Sequence, residues 1–179
     1  MYINNITYEY PISEQAIRNA YPLTSFPVPF SPPPEFLWVF PAPIPPHDPI
    51  TQGYRETAPM ESGGQYAQTF EVYDLTQEQV EANQEVEKKR VFEEIRVNTE
   101  KRLNQFAQER LYTDITALCS YATSSKGKYK KESGDGVTGR DDTWEVIDQI
   151  MADVQAGTRP VPTGYAEIES ELPDLVWSE

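Results

Sequence analysis

The sequence predicts an α+β fold, mostly α. A proline-rich extended N-terminal segment and a β-hairpin lead into a long, coiled-coil-like helical stalk and then a small C-terminal helical unit. Three observations carry this. Thirteen of the 16 prolines fall between Pro11 and Pro59, Ser62-Gly63-Gly64 separates two strand-like runs, and neither proline nor glycine occurs from Gln77 to Ala122. The matching division is an arm over residues 1–75, a stalk over 76–110 and a helical domain over 111–179.

Ser13 precedes Glu14, Ala16, Ile17 and Ala20, an N-cap followed by an acidic first turn and an apolar stripe, so a short helix is expected before Tyr21-Pro22. The proline stretch comes next. Proline fixes φ and removes a backbone donor, so this stretch is expected to run extended, without helix or central strand. It is not a solvated linker by composition, because such linkers are poor in aromatics and this one holds Phe26, Phe30, Phe36, Trp38 and Phe40. A stiff, aromatic-rich strap needs a surface to lie on. These five rings are candidate interface residues, with the surface expected either in this chain or in a partner.

Gln65 to Tyr73 alternates Tyr66, Gln68, Phe70 and Val72 with Ala67, Thr69, Glu71 and Tyr73, and the glycine pair supplies positive φ for the reversal from the run beginning at Gln52. Thr76 with Gln79 then forms a capping box, and Leu75 with Val80 a hydrophobic staple, so a helix starts at about Gln77. Unbroken to Ala122, it would be about 70 Å long, with Tyr112-Thr113-Asp114 the place where it could break. The spacing Phe92, Ile95, Thr99, Leu103, Phe106 alternates three and four residues, a coiled-coil seam with one polar member. Phe92, Ile95, Leu103 and Phe106 are therefore candidate interface residues of a long stalk, the alternative being two ordinary helices in one bundle. From Ala107 the apolar rhythm widens toward that of a helix in a globular bundle.

Ser124 to Gly139, with four lysines around Tyr129 and four glycines, reads as a loop. Its lysines resemble a short anion-binding patch, although a solvated loop tip fits the same composition. Asp135, Asp141 and Asp142 lack the regular spacing of a calcium loop. Asp142-Thr143-Trp144 caps a helix that places Trp144, Ile147, Ile150, Met151 and Val154 on one face, and Gly157 with Pro160 ends it. A last turn or two runs from Thr163 toward Leu172, with Trp177 as a terminal anchor.

Charge is distributed unevenly about a net −14: two basic against twelve acidic residues over 1–87, eleven against five over 88–131, and two against twelve over 132–179. A basic middle between acidic flanks suits charge pairing within the chain or between copies and disfavours nucleic acid as a partner. Hydrophobic residues are 38% of the chain, below the roughly 45–50% of ordinary domains counted with glycine. No apolar run approaches a membrane span, and Met-Tyr-Ile-Asn-Asn-Ile lacks a signal-peptide pattern, so a soluble protein made in a cytoplasm is expected. Cys119 stands alone and reads as a packed helix residue; His47, beside Asp48 in a proline turn, reads as a turn cap. No phosphate-binding glycine loop, nucleophile elbow or Cys/His ligand spacing occurs. The expectation is no enzyme activity, no cofactor and no metal.

The runs Thr24-Ser-Phe-Pro-Val-Pro-Phe, Val39-Phe-Pro-Ala-Pro-Ile-Pro-Pro-His-Asp-Pro and Gln65-Tyr-Ala-Gln-Thr-Phe-Glu-Val-Tyr-Asp-Leu-Thr-Gln resemble the proline-rich and hairpin portion of small tail-fibre-associated proteins of tailed bacteriophages. Leu103-Asn-Gln-Phe-Ala, Arg140-Asp-Asp-Thr-Trp, Val154-Gln-Ala-Gly-Thr-Arg-Pro-Val-Pro-Thr and Glu171-Leu-Pro-Asp-Leu-Val-Trp are similar to a C-terminal module of such proteins. The resemblance implies a structural virion protein of the tail, made in the host cytoplasm and assembled with fibre or baseplate subunits in support of host adsorption. It carries over no catalytic residue. Fibre stalks of this kind are commonly threefold, which implies a homotrimer, or a hetero-oligomer using the same seam. Two rival roles are a fibre-assembly chaperone or adaptor, and a host receptor-binding module using Lys126 to Lys131.

Overall fold

A computed structural model describes residues Met1 to Glu179. The chain is an α+β protein of five α-helices and a four-stranded sheet, and it forms two compact units, Met1–Asn83 and Gln84–Glu179. The boundary falls inside the long helix.

The first unit contains β1 (Tyr2–Asn4), α1 (Glu14–Ala20), β2 (Phe36–Phe40), β3 (Gln52–Ser62) and β4 (Gln65–Asp74), with strand order β1-β2-β4-β3. Ser13 caps α1 as expected, its Oγ accepting from Ala16 N at 3.1 Å. The hairpin also forms: Ser62 pairs with Gln65 across Gly63 and Gly64, at φ 61° and 78°, the two-residue turn whose twist matches its strands. Pro59 interrupts β3 within a register shift between Thr57 and Met60, a place where a strand tolerates a missing donor.

One expectation fails here. The proline stretch does contain an interior strand, since β2 pairs antiparallel with β1 (Tyr2↔Trp38 to Asn4↔Phe36) and parallel with β4 (Val39↔Tyr66, Phe40↔Ala67). Pro34 and Pro41 lie outside it, so all five residues from Phe36 to Phe40 keep their N–H donors and the local proline density does not matter. Alternation along β2 divides its side chains. Phe36 joins Tyr2, Ile12 and Ile17 beneath Tyr21, Phe26 and Phe30, while Val39 joins Ile3 and Tyr66 on the opposite face.

Helix α2 (Gln77–Glu109) begins with the expected capping box: Thr76 Oγ1 accepts from Gln79 N at 3.3 Å, and Gln79 Oε1 accepts from Thr76 N at 3.0 Å. It ends well before Ala122. Leu111 takes positive φ (66°), and Asp114 caps a new helix, α3 (Ile115–Cys119), accepting from Ala117 N at 2.7 Å. Asn104 Oδ1 accepts from Ile115 N at 3.0 Å, so α2 itself holds the entry to α3.

The segment expected to be a loop is helical. Helix α4 spans Gly127–Gln155 and takes in most of the lysine and glycine stretch. Three glycines inside a helix each cost about 1 kcal/mol relative to alanine, and tertiary contact supplies the compensation. Gly136 admits Leu118 of α3, Gly139 admits Leu175 of the C-terminal segment, and Ser133 Oγ donates to Cys119 O at 3.0 Å. After α4 the chain turns at Gly157 (φ 72°), reaches α5 (Tyr165–Ile168) and a 3₁₀ turn (Glu169–Glu171), and then runs extended.

The core of this second unit has two parts. Val91 and Ile95 of α2 meet Ile147 and Ile150 of α4 together with Ile168 and Leu172; Leu103, Phe106 and Ala107 of α2 meet Ile115 and Leu118, with Trp144, Leu175 and Trp177 packed around them. At about 1.5–3 kcal/mol for each fully buried large apolar side chain, these contacts hold a glycine-bearing helix in place.

Candidate functional site

The nine candidate interface residues have different fates. Phe36 is buried, and Phe26 and Phe30 are half-buried against the first unit's own cluster, with the Arg18 guanidinium 5.3 and 4.6 Å from their ring centroids. Ile95, Leu103 and Phe106 are buried in the second unit, and so is Thr99. The three-and-four spacing is therefore satisfied inside the chain by α4, α3 and the C-terminal segment, and these side chains do not form an exposed seam. Phe92 is half-buried at the edge of that core.

Trp38 and Phe40 remain, at 47% and 45% exposure. They lie two residues apart on one face of β2, and Tyr2, the partner of Trp38, packs edge-on against it at 5.1 Å. Phe40 and Met60 both pair with Ala67 of β4, so Met60, 65% exposed, stands on the same face. The small Ala67 side chain between them leaves a continuous apolar surface. Cross-strand neighbours share a face by the geometry of the sheet, and no charged residue interrupts these three.

No protein-family model, curated protein or solved structure matches this chain. The reading of the surface thus stands on its residues.

Outside this face, the remaining sequence candidates resolve into local roles. His47 Nδ1 lies 2.9 Å from Pro45 O, and Asp48 accepts from Ile50 N and Thr51 Oγ1 at 2.9 and 2.8 Å. Those bonds hold the Asp48 carboxyl below the usual carboxylate range. Burial pushes the Cys119 thiol up, against a smaller downward pull from Arg140, which favours the unreactive thiol. Lys126 to Lys131 lie at the start of α4, where Lys128 and Arg110 stand 3.9 and 3.7 Å from the mostly buried Glu132 carboxylate. Tyr112 donates to Glu132 at 2.8 Å, and its phenol is pushed up to about 12, chiefly by burial and then by that carboxylate. Asp135 accepts from Ser178, and Asp141 pairs with Arg140.

No three His, Cys, Asp or Glu side chains converge as a metal-binding group, and no helix is long and apolar enough to cross a membrane. Sequence reasoning missed Met60. It sits between Pro59 and Glu61 with no alternating pattern around it, and only strand register brings it beside Phe40.

Proposed function

We propose that this protein is a structural component of a bacteriophage tail fibre or baseplate, and that it attaches to neighbouring tail subunits through the sheet face bearing Trp38, Phe40 and Met60. The single observation supporting attachment is that this apolar face sits uncovered on an ordered sheet, where an isolated soluble domain gains nothing from it. Aromatic residues and methionine are enriched in the cores of protein interfaces. The sequence likeness to tail-fibre-associated proteins supplies the identity of the partners, and the four-stranded sheet, with β2 in its interior, holds the face. The role is one of assembly, without a chemical step.

Mass spectrometry of purified virions tests the reading. Stoichiometric recovery of this protein in the tail is expected. Its absence from finished particles, with presence in fibre-assembly intermediates, would move the assignment to a chaperone.

A further inference from the structure

The chain from Pro173 to Ser178 belongs to no helix or strand, and none of its backbone groups bonds to another backbone group. Side chains of α2 and α4 hold it instead, each matched to one of its residues. Arg102 donates through Nη2 to Pro173 O at 2.6 Å, and Gly139 leaves a notch for Leu175, whose Cδ2 would stand 2.8 Å from a β-carbon built on that glycine. Phe106 stacks on Trp177 at 4.0 Å, Glu109 accepts the indole N–H at 2.9 Å, and Asp135 accepts from both N and Oγ of Ser178 at 3.1 Å. Leu175 and Trp177 are half-buried against the core while Asp174 and Val176 are exposed, the alternation of an extended peptide seated by two anchors.

Packing around this segment is incomplete. A cleft of about 450 Å³ opens between Arg102, Phe106 and Glu109 of α2 and residues 174–176, whereas the preceding Leu172 is buried in the cluster of Ile95 and Ile147. The change from core to docked chain falls at Pro173. A stretch with no backbone ladder, two half-buried anchors and an open flank opens at lower free energy than the helices beneath it.

We propose that Pro173–Ser178 leaves its groove on α2 and α4 as a unit, and that the vacated groove takes the same segment of a second copy. The structure itself names the occupant, because every contact now made within one chain is available unchanged between two. Departure uncovers the Phe106 ring and the Gly139 notch, an apolar surface built for this one sequence. Six extended residues reach about 20 Å, so two copies exchange with their grooves adjacent, and reciprocal exchange closes a pair. Charge opposes the approach, since each chain carries a net −14. Salt screens that repulsion and so favours exchange. The exchange goes beyond the proposed tail role, and either can fail alone.

The experiment titrates a fluorescein-labelled peptide of residues Leu172–Glu179 into the full-length chain. Wild type is compared with Leu175→Ala and Trp177→Ala, which loosen the segment and leave the groove intact. Both variants are expected to bind the peptide saturably and roughly tenfold or more tighter than wild type, whose own segment competes at an effective concentration of about millimolar. A peptide carrying Leu175→Asp and Trp177→Ala is expected not to bind. Light scattering on wild type is expected to show a species of twice 20.4 kDa that grows with protein concentration and with salt, and less of it in both variants. Folded variants that bind no better than wild type, equal binding of the altered peptide, or a wild type of 20.4 kDa at every concentration each overturn the proposal. Global unfolding of both variants overturns it too, since the segment would then be part of the core.

Discussion

Gly136 of α4 presses directly on Leu118 of α3: a β-carbon built on this glycine would stand 2.5 Å from Leu118 Cδ2. Gly134, two residues earlier on the same helix, has nothing within 4 Å of such an atom. The pair separates the two meanings of glycine in a helix. Gly136→Ala is expected to destabilise by about 1–3 kcal/mol through overpacking, the close neighbour being part of a buried side chain. Gly134→Ala is expected to stabilise by about 0.5–1 kcal/mol by restricting the unfolded chain and improving helix propensity. Urea unfolding of both variants checks this, and equal shifts would contradict the close packing.

Ile95 is 2% exposed and packs on α4. Ile95→Asp places an unpaired carboxylate in that core, and a loss of about 3–5 kcal/mol is expected, enough to unfold the second unit of a marginally stable protein. An exposed oligomer seam would instead give a folded monomer. Far-UV circular dichroism of the variant separates the two outcomes.

Trp177 stacks on Phe106 with centroids 4.0 Å apart, lies under Arg110, and donates its indole N–H to Glu109 at 2.9 Å. Trp177→Ala is expected to cost about 2–4 kcal/mol, less than a fully buried tryptophan because the ring is half-buried. Limited proteolysis should then cut within residues 172–179, and a protected segment would mean the ring is not the anchor.

Burial, and then the Glu132 carboxylate, push the Tyr112 phenol up to about 12 in the folded chain, from 10.0 for a free tyrosine. A raised pKa means the folded state favours the protonated phenol, so this contribution is whole below pH 10 and is lost as pH rises toward 12. Other tyrosines with raised values, Tyr2, Tyr10 and Tyr21 among them, add to the same slope. Tyr112→Phe should flatten the fall in melting temperature over that window; an unchanged slope would show that Tyr112 does not govern this pH dependence.

Trp38→Ser with Phe40→Ser removes most of the exposed sheet face while leaving Phe36 and Val39 in their clusters. Melting within a few degrees of wild type is expected together with loss of co-purification with tail subunits. Retained association would direct attention away from this face.

The features legible in the sequence were those whose physics closes within four or five residues. The Thr76–Gln79 capping box, the Gly63-Gly64 turn, the Ser13 cap and the Gly157 stop each satisfy backbone groups next to them in the chain, and each forms as its residues dictate. Register, close approach and choice of partner face were decided only in three dimensions. Phe36 to Phe40 became an interior strand because β1 and β4 flank it. Gly136 and Gly139 entered a helix because Leu118 and Leu175 needed their missing side chains. Ile95, Leu103 and Phe106 carry a spacing that suits a neighbouring chain and their own chain equally well; α3, α4 and Trp177 lay closer, and an apolar stripe is buried by whichever surface reaches it.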